Sequence, residues 1–270
     1  MGARLFERST RKVELTRAGH RLREKALDLL ADFDGVVREI KHREGTLEGH
    51  IRLMAPTTLT HVHLGKAIGA FLREHERITM EIALVDRSIS PLEEEFDMAI
   101  SGRAASFNGV VDVPLAPVHA ALCAAPAYVA RFGAPSHPHE LAERDCLVFK
   151  PYSSNWQFRS AGEPISVEVT AKLMSDDNRT LMNAAIAGQG IAILPGYLAK
   201  DALAAGSLQS LLPGYPLQET WFQAYIPRRR MGLPRIRALL EWLKRHMEII
   251  APDASRATLS PRRVNKRRSP

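Results

Sequence analysis

Hydroxyl-bearing and small residues directly after predicted strands are the chain's main candidates for binding chemistry. Thr57 and Thr58 follow a strand predicted at 51–55 and begin a predicted helix, so their hydroxyls and free backbone N–H groups suit an anion or a carboxylate. Ser101 and Gly102 follow a strand predicted at 97–100. The end of the strand predicted at 191–195 and the loop after it add Leu194, Pro195, Gly196 and Tyr197. An alternative interpretation of the two threonines is an ordinary helix cap without a ligand.

A basic segment near the N-terminus has the residue types that contact nucleic acid. Polar turn residues interrupt a cationic, β-branched stretch, which predicts a short hairpin, and a long helix begins directly after it. A cationic hairpin of this kind suits contacts with DNA phosphates. We expect these contacts from residues around the turn and the helix start: Arg8, Ser9, Thr10, Arg11, Lys12 and Thr16.

The sequence contains no motif that predicts catalysis or a metal site. It has no Walker loop, no dinucleotide glycine fingerprint and no ordered Ser, His and Asp set. Two histidine pairs have an i, i+2 spacing that rarely converges on one ion, and we interpret them as surface residues: His61 with His63, and His137 with His139. The arginine run at 228–230 is interpreted as a solvated turn rather than a DNA contact.

A helix predicted from Thr16 to about residue 43 carries an apolar seam. Its apolar residues recur at alternating spacings of four and three, the a/d pattern of a helix that packs against a partner helix. We expect this seam to form a dimer; the alternative is that it docks on the chain's own globular part. The seam residues are Leu22, Ala26, Leu29, Phe33, Val36 and Ile40.

Strand and helix periodicities alternate through the rest of the chain. Strand–helix–strand units at this spacing predict two α/β lobes, each with a parallel sheet and helices on both faces. The last strand, at 221–226, and the last helix, at 233–249, are predicted to rejoin the first lobe. A short helix is predicted at 91–96 and a turn at 125–128. Open α/β lobes bind ligands at the carboxyl ends of their strands, in the crevice between the halves, so the residues after the strands become candidates.

Charge and composition agree with nucleic-acid contact at the ends of the chain. The net charge of +7 is concentrated in two ends, residues 1–25 and 251–270, while the middle is slightly acidic. For the second of these ends we favour a disordered solubilising tail. No apolar run reaches the ~18 residues that a membrane span needs, and no signal peptide is recognised. Cys123 and Cys146 fit no ligand spacing and are expected to be reduced and half-buried, in the cytoplasm.

Five segments, in order and at matching spacings, resemble LysR-type transcriptional regulators. Residues 5–19 read LFERSTRKVELTRAG and are similar to the end of that family's winged helix-turn-helix. The string GQGIAILP at 188–195 is close to one of the family's most specific motifs. The remaining segments are APTT at 55–58, DR at 86–87 with EEFDMAISG at 94–102, and PAYVA at 126–130. The resemblance covers about residues 2–248.

The resemblance implies a fold and a set of partners. It implies the remnant of a winged helix, a long linker helix and a two-lobed effector domain like a type-2 periplasmic binding protein. The implied partners are operator DNA, if the native protein contains the helix-turn-helix, a small-molecule effector such as an organic acid, and further copies in a homodimer or homotetramer, with no cofactor. The family's effector positions match Thr57, Thr58, Ser101 and the 194–197 loop, and Ser88 lies near another. The chain is expected to start where the family's recognition helix ends.

These patterns divide the chain into four parts. We assign 1–15 to the wing, 16–45 to the linker helix, 46–250 to the effector domain and 251–270 to the tail. Within the effector domain, the first lobe takes about 46–122 and 222–250, and the second about 123–221. One alternative is an effector-binding, dimerising protein without sequence-specific DNA binding. Another is a solute-binding receptor, which is disfavoured because no export signal is recognised.

Overall fold

The computed structural model describes residues 4–8, 13–19, 22, 23, 26, 47–160 and 162–247. These residues form an N-terminal hairpin and two α/β lobes. Several predictions fall outside them: the wing residues Ser9, Thr10, Arg11 and Lys12, the seam residues Leu29, Phe33, Val36 and Ile40, and the tail. None of the described helices is long and apolar enough to cross a membrane.

The strands of the described residues are numbered in chain order. In the hairpin and the first lobe they are β1 Phe6–Arg8, β2 Val13–Leu15, β3 Glu48–Ala55, β4 Arg77–Leu84, β5 Met98–Ser101 and β6 Val110–Val118. In the second lobe they are β7 Ala120–Ala124, β8 Cys146–Phe149, β9 Asn155–Ser160, β10 Glu163–Glu168, β11 Ala171–Ser175, β12 Ile191–Pro195 and β13 Gln209–Ser210. The last strand is β14 Thr220–Pro227.

Five longer helical segments accompany these strands. Helix α1 covers 57–74 in three pieces, Thr57–Leu59, a π-helical turn Thr60–Leu64, and Gly65–Glu74. The others are α2 Pro126–Phe132, α3 Asn178–Ile186, α4 Gly196–Ala204 and α5 Pro234–Met247. Short 3₁₀ turns occur at Pro138–Glu143, Lys150–Tyr152 and Arg228–Arg230.

The two lobes share one strand arrangement. The first sheet has the order β4-β3-β5-β14-β6, and the second has the order β11-β8-β12-β7-β13. In each sheet three neighbouring strands are parallel and the remaining two are antiparallel additions. The α/β class with two lobes is therefore confirmed, but the sheets are mixed rather than purely parallel as predicted.

The chain passes between the lobes twice. Strand β6 ends at Val118 and β7 begins at Ala120, so only His119 lies between the two sheets. The chain returns between Ser210 and Thr220, where β14 joins the first sheet. Helix α5 packs on the same lobe, since Trp242 Nε1 donates to the carbonyl of Ala67 at 2.9 Å.

Each lobe has its own apolar core. Ile51 and Leu53 of β3, Phe71 of α1 and residues of α5 are buried together in the first lobe. The second lobe buries residues of β7, β8 and β12 on both faces of its sheet. Cys123 and Cys146 belong to these second-lobe clusters; both are free thiols with no exposed surface, not half-buried as predicted. Burial raises the pKa of each thiol to about 12.

Three local predictions were wrong. The segment 91–96 is a wide turn rather than a helix, because Glu95 takes a left-handed φ of 58° and Phe96 N donates to the Pro91 carbonyl at 2.8 Å. The predicted turn at 125–128 is the start of α2, whose first position holds Pro126. Strand β6 was not predicted, because Pro114 and Pro117 interrupt its pattern; the strand tolerates them at the edge of the sheet.

Candidate ligand-binding site

A cavity of about 330 Å³ lies between the two lobes. It is placed where the carboxyl ends of the parallel strands meet, as the crevice rule for α/β folds requires. Residues of the first lobe that line it are Pro56, Thr58, Val85, Asp86, Ser101, Gly102, Arg103 and Phe222. Those of the second lobe include Leu147, Phe149, Tyr152, Asn155, Trp156, Gln157, Asn178, Ile193, Pro195 and Tyr197.

The start of α1 meets the carboxyl group of Asp86. The residue before the helix is Pro56, and no side chain caps the helix at that position. Thr57 N donates to Asp86 Oδ1 at 3.2 Å, so the carboxyl group takes an N–H that a ligand could otherwise use. Thr57 does not line the cavity, whereas Thr58 lines it and its hydroxyl contacts the second lobe.

Thr58 connects the first lobe to the second. Asn178 Nδ2, at the start of α3, donates to Thr58 Oγ1 at 3.3 Å, and both side chains are buried. Asn178 is held in place because Asp177 caps α3 by accepting from the backbone of Arg179 and Thr180 at 3.1 Å. The hydrogen bond between Asn178 and Thr58 joins α3 to α1 at the cavity wall.

Ser101 and Gly102 line the cavity at the end of β5. Ser101 Oγ lies 3.1 Å from Ser88 Oγ, which brings Ser88 next to the site although Ser88 does not line it. A Cβ added at Gly102 would lie 2.8 Å from Tyr152 Oη and 3.2 Å from Phe222 Cε1. Glycine is needed there because the first lobe approaches Tyr152 of the second lobe so closely.

Only part of the 194–197 loop faces the cavity. Pro195 and Tyr197 line it, whereas Leu194 is fully buried in the core of the second lobe. Gly196 serves the chain crossing instead, since its N–H donates to the carbonyl of His119 at 2.7 Å. Of the nine predicted effector residues, the structure therefore brings five into the cavity wall: Thr58, Ser101, Gly102, Pro195 and Tyr197.

Aromatic rings make up much of the wall. Phe149 and Tyr152 pack edge to face with centroids 5.4 Å apart, and Tyr197 and Phe222 lie 6.3 Å apart across the lobes. Trp156 is buried on β9. Burial raises the pKa of Tyr152 to about 12 and also raises the pKa of Tyr197, so both hydroxyls stay protonated as hydrogen-bond donors.

The cavity carries one acidic and one basic residue among the described residues that line it, Asp86 and Arg103. Burial raises the pKa of the Asp86 carboxyl, hydrogen bonds from Thr57 oppose that rise, and the charges of Asp176 and Asp177 add to it. Arg103 is exposed at the rim, where its guanidinium donates to the carbonyl of Pro151 and lies 5.9 Å from the Tyr152 ring centre.

Sequence reasoning missed Asp86, Tyr152, Trp156, Asn178 and Phe222. Asp86, Tyr152 and Asn178 follow the ends of β4, β8 and β11, where the crevice rule places candidates; of these three strands, only β11 was not predicted. Trp156 and Phe222 lie within antiparallel strands, and only the packing of the two lobes brings them to the cavity.

The N-terminal hairpin has the predicted form. β1 and β2 pair antiparallel, with Arg8 opposite Val13. Thr16 begins the following helix: Gly19 N donates to Thr16 Oγ1 at 3.0 Å, and that hydroxyl donates to the carbonyl of Arg4 at 2.7 Å. A Cβ at Gly19 would lie 2.1 Å from the carbonyl oxygen of Leu5, which explains the glycine.

Two surface predictions need correction. His63 is partly buried in the π-helical turn, its Nε2 is buried without a hydrogen-bond partner, and burial lowers its pKa. Its ring packs edge to face on Tyr197 at 5.3 Å. Arg230 is not solvated, because its Nε forms an ion pair with buried Asp97 at 3.2 Å. The described residues contain no group of three His, Cys, Asp or Glu that could hold a metal ion.

Comparison with known proteins gives one consistent result. The family model of the LysR substrate binding domain matches residues 44–248. The uncharacterized HTH-type transcriptional regulator YcaN of Escherichia coli is 28% identical over 247 residues, which cover 89% of this chain and 80% of YcaN. The HTH-type transcriptional regulator PtxR of Pseudomonas aeruginosa is 26% identical over 249 residues, 92% of this chain and 80% of PtxR.

Solved structures show the same fold. Full-length AphB, a Vibrio cholerae virulence activator, superposes with a TM-score of 0.66 at 22% identity and covers 90% of this chain and 84% of AphB. CrgA of Neisseria meningitidis superposes with a TM-score of 0.66 at 22% identity, covering 93% of this chain and 85% of CrgA.

Proposed function

Because the chain belongs to the LysR family of transcriptional regulators, we propose that it binds operator DNA as a homodimer or homotetramer and alters that binding when a small molecule enters the cavity between its lobes. The observation that carries the proposal is the cavity itself. It is enclosed by both lobes and combines apolar and aromatic walls with a few convergent polar groups, the usual character of small-molecule sites. As a regulator of transcription, it would act in the cytoplasm.

The N-terminal hairpin supports the DNA-binding part of this proposal. Its two strands pair antiparallel, Arg8 ends the first of them, and the sequence between the strands contains Arg11 and Lys12. We propose that Arg8, Ser9, Thr10, Arg11 and Lys12 contact the phosphate backbone, which positions the protein without reading bases. The hydroxyl of Thr16 is engaged in capping its own helix, so Thr16 contributes to the placement of the hairpin.

The helix that follows the hairpin supports self-association. Leu22, one of the seam residues, is 47% exposed in the single chain, as expected of a residue that packs on another copy.

The proposed division keeps 1–15 as the wing, 16–45 as the linker helix, 46–250 as the effector domain and 251–270 as a tail. The crossings at His119 and at 210–220 separate the two lobes of the effector domain.

Both lobes contribute directly to the effector site. We propose five residues as effector contacts. The first lobe contributes Thr58, Ser101 and Gly102, and the second contributes Pro195 and Tyr197. The other four predicted residues support the site indirectly. Thr57 and Ser88 bond to Asp86 and Ser101. Leu194 packs in the core of the second lobe, and Gly196 bonds to the chain crossing. A ligand that touches both lobes binds one relative arrangement better than another and thereby shifts the population. The hydroxyl groups alone are compatible with an organic acid.

A ligand screen with a blocked cavity tests the proposal. The full chain is melted with a panel of organic acids, amines, sugars and aromatic compounds, beside Gly102→Val and the matched control Gly69→Val. The Val side chain at 102 must displace Tyr152 and Phe222, whereas a Cβ at Gly69 meets nothing within 4 Å. We expect some compounds to raise the melting temperature of the parent chain and the control but not of Gly102→Val. Equal shifts in all three proteins would place the ligand elsewhere.

A further inference from the structure

The polar contacts of the cavity indicate which class of effector it takes. Resting on the proposed function, we propose that the effector is an alkylamine that carries an aromatic ring, which places a protonated nitrogen against Asp86 and a flat apolar body between the rings. An organic acid, which the hydroxyl groups alone suggest, would meet the wrong charge at that position. Three observations lead to this conclusion.

The chain already engages the first N–H group that a carboxylate would use. A ligand anion at the start of α1 would need the free N–H groups there, but Thr57 N donates to Asp86 Oδ1 at 3.2 Å. A ligand carboxylate would have to displace the Asp86 carboxyl or lie beside it. A ligand N–H instead finds an acceptor, because an ionised carboxylate has about four lone-pair sites and Thr57 uses only some of them.

The charges around Asp86 reinforce its preference for a cation. Asp176 and Asp177, before α3 on the opposite lobe, repel the Asp86 carboxylate, so the same field attracts a cation and repels an anion. The tyrosines that face this carboxyl, Tyr152 and Tyr197, are uncharged. The one basic residue of the lining, Arg103, is exposed, screened by solvent and engaged with the carbonyl of Pro151.

The ring wall suits the same ligand. Five aromatic side chains line the same cavity as Asp86: Phe149, Tyr152, Trp156, Tyr197 and Phe222. Ring faces carry partial negative charge, so they attract ammonium groups and stack with flat aromatic bodies, whereas they disfavour carboxylates. An acidic acceptor within an aromatic wall is an arrangement that recognises amines.

Three probes of matched shape test this inference on the full chain. They are 2-phenylethylamine, 3-phenylpropionamide and 3-phenylpropionate, which differ mainly in charge, and their affinities are measured by calorimetry near pH 7. We expect the amine to bind about tenfold to a hundredfold more tightly than the carboxylate, the range that a hydrogen bond to a charged group contributes. Tighter binding of the carboxylate would overturn the inference.

A variant pair assigns the preference to Asp86. Asp86→Asn keeps an oxygen that can accept from Thr57 N but removes the charge, and the matched control Asp112→Asn makes the same change at an exposed position of β6. We expect Asp86→Asn to lose the preference for the amine and Asp112→Asn to keep it. The inference is overturned if both variants keep the preference, or if none of the probes binds while other compounds of the panel do. If no compound of the panel binds, the proposed function itself is contradicted.

Discussion

Single side chains determine the buried polar contacts of this molecule. Asp97, at the start of β5, is 5% exposed and accepts from Arg52 N at 2.9 Å while pairing with Arg230. The sequence shows only three consecutive arginines at 228–230, so it predicts a solvated turn. Burial of the third arginine follows from the packing of β14 beside β5, which brings the end of β14 to Asp97.

Removal of Arg230 is expected to destabilise the first lobe strongly. Arg230→Ala leaves the carboxylate of Asp97 buried with only a backbone partner, and breaking a buried pair in this way costs about 3–5 kcal/mol. The backbone bond from Arg52 places the expected loss of unfolding free energy at about 3 kcal/mol. Urea denaturation of the full chain measures it. The neighbouring change Arg228→Ala, at an exposed position, serves as the control, and equal midpoints for the two variants would refute the assignment.

The cavity residues show at the same scale what the sequence could and could not predict. Thr58, Ser101, Pro195 and Tyr197 follow strand ends, and the crevice rule therefore identified them without any coordinates. The charge of the site was not predicted, because Asp86 was considered only as part of a motif. Its role depends on the distance between the end of β4 and the start of α1, which strand patterns do not give.

At the scale of elements, hydrophobic periodicity located most strands and helices, and local chemistry set the exceptions. Helix α1 contains a π-helical turn at Thr60–Leu64, an irregularity that often occurs at functional sites. That turn holds His63 against Tyr197, so it connects α1 to the far wall of the cavity. Strand β6 was not predicted because two prolines interrupt its pattern. The antiparallel pairing of β14 with β6 was not predicted either, because alternating strands and helices indicate parallel pairing.

Helix α3 is expected to depend on its cap. Asp177 accepts from the backbone N–H groups of Arg179 and Thr180, and replacing such a residue with alanine costs about 1 kcal/mol. Because α3 begins with Asn178, Asp177→Ala is also expected to weaken ligand binding through the bond to Thr58. Chemical denaturation measures the first effect and calorimetry the second.

The exposed neighbour of the cap supplies the comparison. Asp176→Ala removes the same charge next to the cavity, but no described hydrogen bond joins its side chain to the start of α3. If Asp176→Ala lowers stability as much as Asp177→Ala, the effect comes from charge and not from capping.

At the scale of the whole molecule, two lobes of one design face each other across a cavity and are joined by two chain crossings. The first crossing is a single residue, His119, and its carbonyl is held by the N–H of Gly196 at the start of α4. Between the lobes, Asn178 and Thr58 form a buried hydrogen bond that a ligand can support or replace. We expect ligand binding to change the relative arrangement of the lobes because Thr58 and Asn178, which bond across the lobes, both line the cavity.

The most direct test of this account is the effect of ligand on DNA affinity. The full chain is titrated onto a mixed-sequence DNA duplex at low salt, by fluorescence anisotropy, with and without the tightest compound of the panel. We predict that the ligand changes the affinity of the parent chain and of Gly69→Val, and leaves Gly102→Val unchanged at its ligand-free value. A response of equal size in Gly102→Val, or no response in the parent chain despite saturation with ligand, would contradict control through the cavity.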